Sequence, residues 1–289
     1  MRILILGGDG MLGHRLLSTL ARSHEVRVTL RQELAAYRQF ALYDAQNSYG
    51  GVDVRVTDRM MDVMADFQPD VVINAVGVVK QRPDGLDPIP NLEINALLPH
   101  RLAVICKAIR AHFVHISTDC VFSGRKGDYK EADGPDPIDV YGHSKLLGEV
   151  VEPGCITLRT SIIGHELSRK SGLFEWFLMQ KDQVKGYKNA IFSGLTTIEL
   201  SRVIEALITR FPDAHGIYHL SSYPVSKFDL LNLIKQKLAL PIQINPDTDF
   251  RCNRSLDSSR FRKDFDYTPP TWETMIEELA LDLKTGTKK

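Results

Sequence analysis

The chain has 289 residues, 43% hydrophobic and 25% charged, which is material for one large or two small folded domains. Its 36 basic side chains balance its 36 acidic ones, so no global field points to nucleic acid or an anionic membrane as partner. Cys106, Cys120, Cys155 and Cys252 form no CxxC pair, and no apolar run is long enough to span a membrane, which argues against zinc and dithiol motifs and against a membrane helix.

In chain order, "RILIL" (2–6), "EVRVTL" (25–30), "VDVRV" (52–56), "DVVINAV" (70–76), "HFVHIS" (112–117) and "CITLRT" (155–160) read as strands. They are short, β-branched and bounded by turn residues. Stretches 11–22, 58–67, 92–111 and 141–151 between them read as helices. Alternating strand and helix imply parallel βαβ units. Continuously apolar strands suit a sheet covered on both faces. Residues 31–51, polar and aromatic, read as an insertion or irregular helix.

After about residue 161 the rhythm changes. Helices are expected at 172–182, 198–210, 226–238 and 271–284, with one more strand, "GIYHLSS" (216–222), returning to the main sheet. The expected fold is α/β, a doubly wound parallel sheet of Rossmann type with a smaller C-terminal domain. The expected domains are 1–161, with the returning strand near 216–220, and 162–289. "TGTKK" at 285–289 reads as a polar tail. "MRILILGG" is too short for a secretory h-region, and isolated cysteines suit a reducing compartment, so a cytoplasmic protein is expected.

"ILILGGDGMLGHRLL" places Gly7, Gly10 and Gly13 between the first strand and the first helix. A dinucleotide site needs a tight turn, close backbone approach to pyrophosphate and close helix–strand packing there. The helix N-terminus adds free N–H groups and a positive dipole end. The second strand ends Thr29, Leu30, Arg31, with no acid before Glu33. Arg31 therefore favours the 2′-phosphate of NADP(H), with NAD(H) as the alternative. Asp58 is expected to close the third strand, facing the adenine amino group, or else to cap the next helix.

"DVYGHSKLLGE" sets Tyr141 and Lys145 four residues apart, on one helix face. A free phenol has a pKa of about 10 and exchanges protons poorly near neutrality. A neighbouring ammonium favours the phenolate, which makes such a pair a general acid/base unit for reducing a carbonyl or oxidising an alcohol. "ISTD" offers a hydroxyl, Thr118 or the fallback Ser117, at the end of a parallel strand, where ligands of such sheets sit. His112 and His115 read as satisfied strand residues and His143 as exposed. No metal site is expected. Trp176, Phe174 and Phe177 line either a pocket or the core.

These features together resemble the extended short-chain dehydrogenase/reductase superfamily. Within it, the chain is similar to the dTDP-4-dehydrorhamnose reductase family. The matching stretches are the GxxGxxG turn at 7–13, "NAVG" at 74–77, Asn95, "STDCVFSG" at 117–124, "VYGHSKLLGE", "LRTSIIG" at 158–164, "FSGLTT" at 192–197 and "NRSLD" at 253–257. The resemblance implies NADPH-dependent reduction of a nucleotide-linked 4-keto-6-deoxy sugar. Tyr141 would donate the proton, Lys145 would lower the phenol's pKa and hold the nicotinamide ribose, and Thr118 would bind the reacting carbonyl oxygen. Gly7, Gly10, Met11, Leu12, Gly13, Asn74, Ala75, Val76, Gly77 and Asn95 would join Arg31 and Asp58 around the cofactor. Val78, Thr118, Arg159, Trp176, Thr196 and Arg254 would face the nucleotide sugar, with Arg159 and Arg254 as candidates for its diphosphate. A homodimer stays open.

Two departures from the family pattern stand out. Cys120 replaces the usual aromatic after STD, and Thr196 a usual proline. A nucleotide-sugar epimerase or dehydratase, and a non-catalytic NADP-binding regulatory subunit, remain as alternatives. Cys120 weighs against a dehydratase, which usually carries Glu there. The intact Thr118, Tyr141 and Lys145 set weighs against the regulatory subunit.

Overall fold

The computed structural model describes residues 1–80, 85–168 and 170–286; the last three residues of the expected polar tail lie outside them. Two compact units form. The first combines Met1–Ser117, Asp139–Leu158 and Ser201–Ile217; the second combines Thr118–Ile138, Arg159–Leu200 and the chain from Tyr218 onward.

The chain begins β1 (Arg2–Leu6), α1 (Gly13–Leu20), β2 (Glu25–Thr29), β3 (Ser48–Tyr49), α2 (Thr57–Phe67) and β4 (Val71–Asn74). It continues through a single turn α3 (Pro88–Pro90), then α4 (Leu98–Ile109), β5 (His112–Ile116), α5 (Val140–Leu147) and β6 (Cys155–Arg159). Next come β7 (Ile162–Ile163), α6 (Leu173–Leu178), β8 (Gln183–Phe192), β9 (Leu195–Thr196), α7 (Thr197–Arg210) and β10 (Gly216–His219). The last elements are β11 (Val225–Ser226), α8 (Lys227–Leu238), β12 (Gln243–Asn253), α9 (Ser259–Asp264) and α10 (Trp272–Gly286).

The main sheet has seven strands in the order β10-β6-β5-β4-β1-β2-β3. From β3 to β6 every pairing is parallel. β4 and β6 are buried along their whole length, as expected for strands sandwiched between helices. Leu6 pairs with both Thr29 and Asn74, and Asn74 with His115, so the carboxyl ends of four strands come level. Leu4, Phe67, Val72, Leu102 and Phe113 pack one core beneath them. Cys106 and Cys155 lie in that core, and burial pushes the Cys155 thiol up to about 11, so it packs as a small apolar side chain.

The sequence expected a strand at 52–56, and none forms. Asp53 accepts from the Arg55 backbone N–H at 3.0 Å and pairs with its guanidinium at 2.5 Å, which curls the segment into a turn. Ser48–Tyr49 takes the edge beside β2 instead. Asp58 therefore does not close a strand; it lies exposed in the first turn of α2. The irregular 31–51 segment contains a 3₁₀ helix, Leu34–Phe40, before that edge strand.

The expected helix 92–111 opens as a π-helix, Asn91–Leu97, and becomes regular at Leu98. Pro99, with no N–H, cannot bond the Asn95 carbonyl four residues back. That carbonyl meets Gly148, the residue ending α5, where a Cβ would stand 1.9 Å from the oxygen. Gly148 also stops α5 short of the expected 151.

In the second unit the three-stranded sheet β11-β8-β12 was not expected from the sequence. β8 pairs antiparallel with β11 and parallel with β12, whose register shifts between Asp247 and Arg251. Trp272 lies tilted against Phe192, ring centroids 5.4 Å apart, and donates its indole N–H to the Tyr223 carbonyl at 2.7 Å, fastening α10. Among the described residues no helix is long and apolar enough to cross a membrane.

Candidate active site

The glycine turn follows β1 directly. Gly7 sits at φ +81°, a left-handed conformation that favours glycine, and its N–H donates to the Thr29 hydroxyl at 3.2 Å. A Cβ at Gly13 would stand 2.0 Å from the Gly7 carbonyl oxygen, so helix and turn touch only because that position is bare. Gly10 differs. A Cβ there would meet Gly7 O at 3.3 Å and otherwise nothing nearer than 4.0 Å. The fold constrains residue 10 less than residue 13, whereas a phosphate approaching the backbone needs the space. α1 starts beyond Leu12 with no side-chain cap, so no side chain offsets the positive end of its dipole, which suits an anion. The turn thus fits a dinucleotide pyrophosphate. We expect Gly10→Ala to keep its melting temperature within a few degrees while losing about tenfold or more in dinucleotide affinity. Gly13→Ala should lose several kcal/mol of stability as well. Thermal unfolding beside cofactor titration separates the two.

Around this turn the strand ends are stapled. Asn74 accepts from the Val76 N–H at 3.2 Å. Asn95 accepts from the Val78 N–H at 2.9 Å, donates to the Val78 carbonyl at 3.0 Å and also reaches Ser144 at 3.1 Å. Asn95 is fully buried, so these bonds replace its lost hydration and lock the segment after β4 onto α5. Sequence reasoning missed Lys80. Its ammonium lies 5.5 Å from the Tyr141 ring centroid and 2.5 Å from the Asp139 carboxylate. Asp139 also caps α5, accepting from Gly142 N–H at 2.8 Å.

Tyr141 and Lys145 share one face of α5. The Lys145 amine donates to the Ile116 carbonyl at 2.6 Å, at the carboxyl end of β5. Lys145 is only 4% exposed, and burial pulls its pKa down to about 8, with Glu149 opposing. Ser117 donates to Glu149 at 2.7 Å.

The histidines depart from the expectation of satisfied side chains. His115 Nδ1 accepts from Asn74 at 3.2 Å, and its buried Nε2 has no partner; His112 reaches the Ala214 carbonyl at 2.9 Å and leaves Nδ1 unpartnered. Burial pushes both below the usual imidazole range, His115 far below, so neither carries charge at neutrality.

In the second unit Thr118 donates to Asp119 at 3.3 Å and accepts from Cys120 N–H at 3.1 Å. To donate to a substrate oxygen its hydroxyl must rotate away from Asp119. Burial raises the Asp119 pKa, against the lowering pull of Arg254. Arg254 bonds the Phe122 carbonyl through Nε at 2.8 Å. Arg159 is 4% exposed, with Nη1 3.2 Å from His219 Nε2 and its guanidinium 5.3 Å from the Phe122 ring centroid. Thr196 is fully buried and accepts from Glu199 N–H at 3.3 Å. Trp176 is 37% exposed, whereas Phe174 and Phe177 are core.

A family model described as the RmlD substrate binding domain matches residues 1–285. The chain belongs to that family. Among curated relatives, it is 32% identical to the probable low-salt glycan biosynthesis reductase Agl14 of Haloferax volcanii, over 56% of this chain and about half, 54%, of that protein. It is 26% identical to the dTDP-4-dehydrorhamnose reductase of Aggregatibacter actinomycetemcomitans, over 96% of this chain and 98% of that one. Among solved structures, the Bacillus anthracis dTDP-4-dehydrorhamnose reductase in complex with NADP superposes with a TM-score of 0.79 at 21% identity, covering 97% of this chain and 99% of that one. That likeness shows the family's fold.

Proposed function

We propose that this protein is an NADP(H)-dependent reductase of a nucleotide-linked 4-keto-6-deoxy sugar, acting in the cytoplasm. One observation carries the reading. Tyr141 and Lys145 lie on one face of α5, with the Lys145 amine docked at the end of β5, in the same unit as the glycine turn. The near full-length likeness to a dTDP-4-dehydrorhamnose reductase supports it.

The backbone of Gly7, Gly10, Met11, Leu12 and Gly13 would hold the pyrophosphate. Arg31, exposed beyond β2, would meet a 2′-phosphate. Asp58, Asn74, Ala75, Val76, Gly77 and Asn95 complete the proposed cofactor contacts. When bound, the dinucleotide would supply the hydride for the keto carbon. Tyr141 gives its phenolic proton to the oxygen as the C=O π pair becomes a lone pair. The Lys145 ammonium stabilises the phenolate left behind, which regains a proton from solvent. Thr118 donates a hydrogen bond to the same oxygen. Val78, Trp176, Thr196, Arg159 and Arg254 are proposed to face the nucleotide sugar.

The reading is tested by NADPH oxidation against a panel of nucleotide-4-keto sugars, with mass detection of the alcohol. Turnover without net NADPH consumption would indicate an epimerase, and no turnover with any member would overturn the reading. Arg254→Ala should raise the sugar-nucleotide KM by about tenfold, the loss expected for one charged contact to a diphosphate. It should leave NADPH affinity within twofold. Equal damage to both ligands would place Arg254 elsewhere.

A further inference from the structure

Leu30, Arg31 and Gln32 offer no carboxylate where β2 ends, the place at which dinucleotide folds accept a hydrogen bond from the adenosine ribose. A carboxylate arrives there from another part of the chain. Asp9 belongs to the glycine turn and is partly exposed. The Tyr37 hydroxyl donates to Asp9 Oδ2 at 3.1 Å and accepts from the Gln32 backbone N–H at 3.2 Å. Tyr37 comes from the 3₁₀ helix Leu34–Phe40 and is itself 6% exposed. Tyr43 packs edge-on to it, ring centroids 5.6 Å apart, and donates to the Gly8 carbonyl at 2.8 Å. The irregular segment therefore grips the glycine turn at two successive residues. It ties the Asp9 carboxylate, through one phenol, to the backbone that follows β2.

We propose that Asp9, positioned by Tyr37, supplies the acceptor for the adenosine 2′-hydroxyl that the end of β2 lacks, and is a cofactor-specificity residue of this chain. The assignment rests on the dinucleotide reading of the turn. It sets two opposed charges at one site. Asp9 accepts from a 2′-hydroxyl and repels a 2′-phosphate, while Arg31 attracts the phosphate. The chain then binds NADH in real competition with NADPH, although the end of β2 alone favours NADPH.

The test is direct titration of the full-length protein with NADH and NADPH, beside thermal unfolding. Asp9→Ala removes both acceptor and charge, and should raise the ratio of NADH to NADPH dissociation constants about tenfold or more. Asp9→Asn keeps an acceptor and loses the charge, so it should raise the ratio chiefly by tightening NADPH. Tyr37→Phe should move the ratio in the same direction by less, and Arg31→Ala should lower it. A ratio unchanged in both Asp9 variants overturns the assignment, even where both affinities fall together. Wild-type protein that binds neither cofactor overturns the dinucleotide reading itself, and the assignment falls with it.

Discussion

Tyr141→Phe will fold, bind the dinucleotide and reduce its sugar about 10² to 10⁴ times more slowly, the usual cost of losing a positioned acid. The substitution removes one oxygen and keeps the ring that lies beside Lys80. Cofactor affinity should therefore hold within a small factor while kcat collapses. The loss should appear in single-turnover hydride transfer, because the proton is needed as the carbonyl oxygen gains charge. A Tyr141→Phe protein turning over at close to wild-type rate would remove the phenol from the chemistry.

Lys145→Met will be less active and yet more stable near pH 7. An unfolded chain holds this proton up to the ordinary lysine value of 10.5, whereas burial brings the folded value to about 8. The folded pKa is depressed, so between those values the unfolded chain binds more protons and wild-type stability rises with pH. Below about pH 8 the buried ammonium is a standing cost of about 3 kcal/mol. Methionine removes that cost and forfeits the hydrogen bond to Ile116, leaving a net gain of about 1–2 kcal/mol. The gain should shrink as pH rises from 8 towards 10.5. Urea unfolding of both proteins at pH 7 and pH 10 reads it. A variant less stable than wild type at pH 7, or a gap independent of pH, would contradict the account. With cofactor the order reverses, since the ammonium that burdens the empty fold would hold the nicotinamide ribose and steady the phenolate.

The sheet and the glycine turn were legible because each rests on a local cause. Short apolar, β-branched runs such as the "VVI" of β4 mark strands covered on both faces, and Gly13 is required by a contact only six residues away in the chain. The helix pair Tyr141 and Lys145 was legible for the same reason. What the sequence hid depends on distant partners. "VDVRV" alternates like a strand, but Asp53 turns it through a bond to its own neighbour. β12 carries Pro246, Asp247 and Asp249 and is largely exposed, so its pairing with β8 leaves no apolar rhythm to read. The partners of Asp9 and Lys80, Tyr37 and Asp139, lie 28 and 59 positions away, so no local pattern marks either residue.

The first unit takes its three segments from Met1–Ser117, Asp139–Leu158 and Ser201–Ile217, which has a consequence during synthesis. The glycine turn lies in the unit's first segment, but the unit lacks its last segment until Ile217 has left the ribosome. Until then the nascent chain carries strands whose cover is incomplete, the state most exposed to misassociation. A prematurely terminated product ending near residue 161 would keep the glycine turn and the acid pair without the segment that completes their unit. Such fragments should be cleared by proteolysis and should not persist as half-enzymes that sequester cofactor.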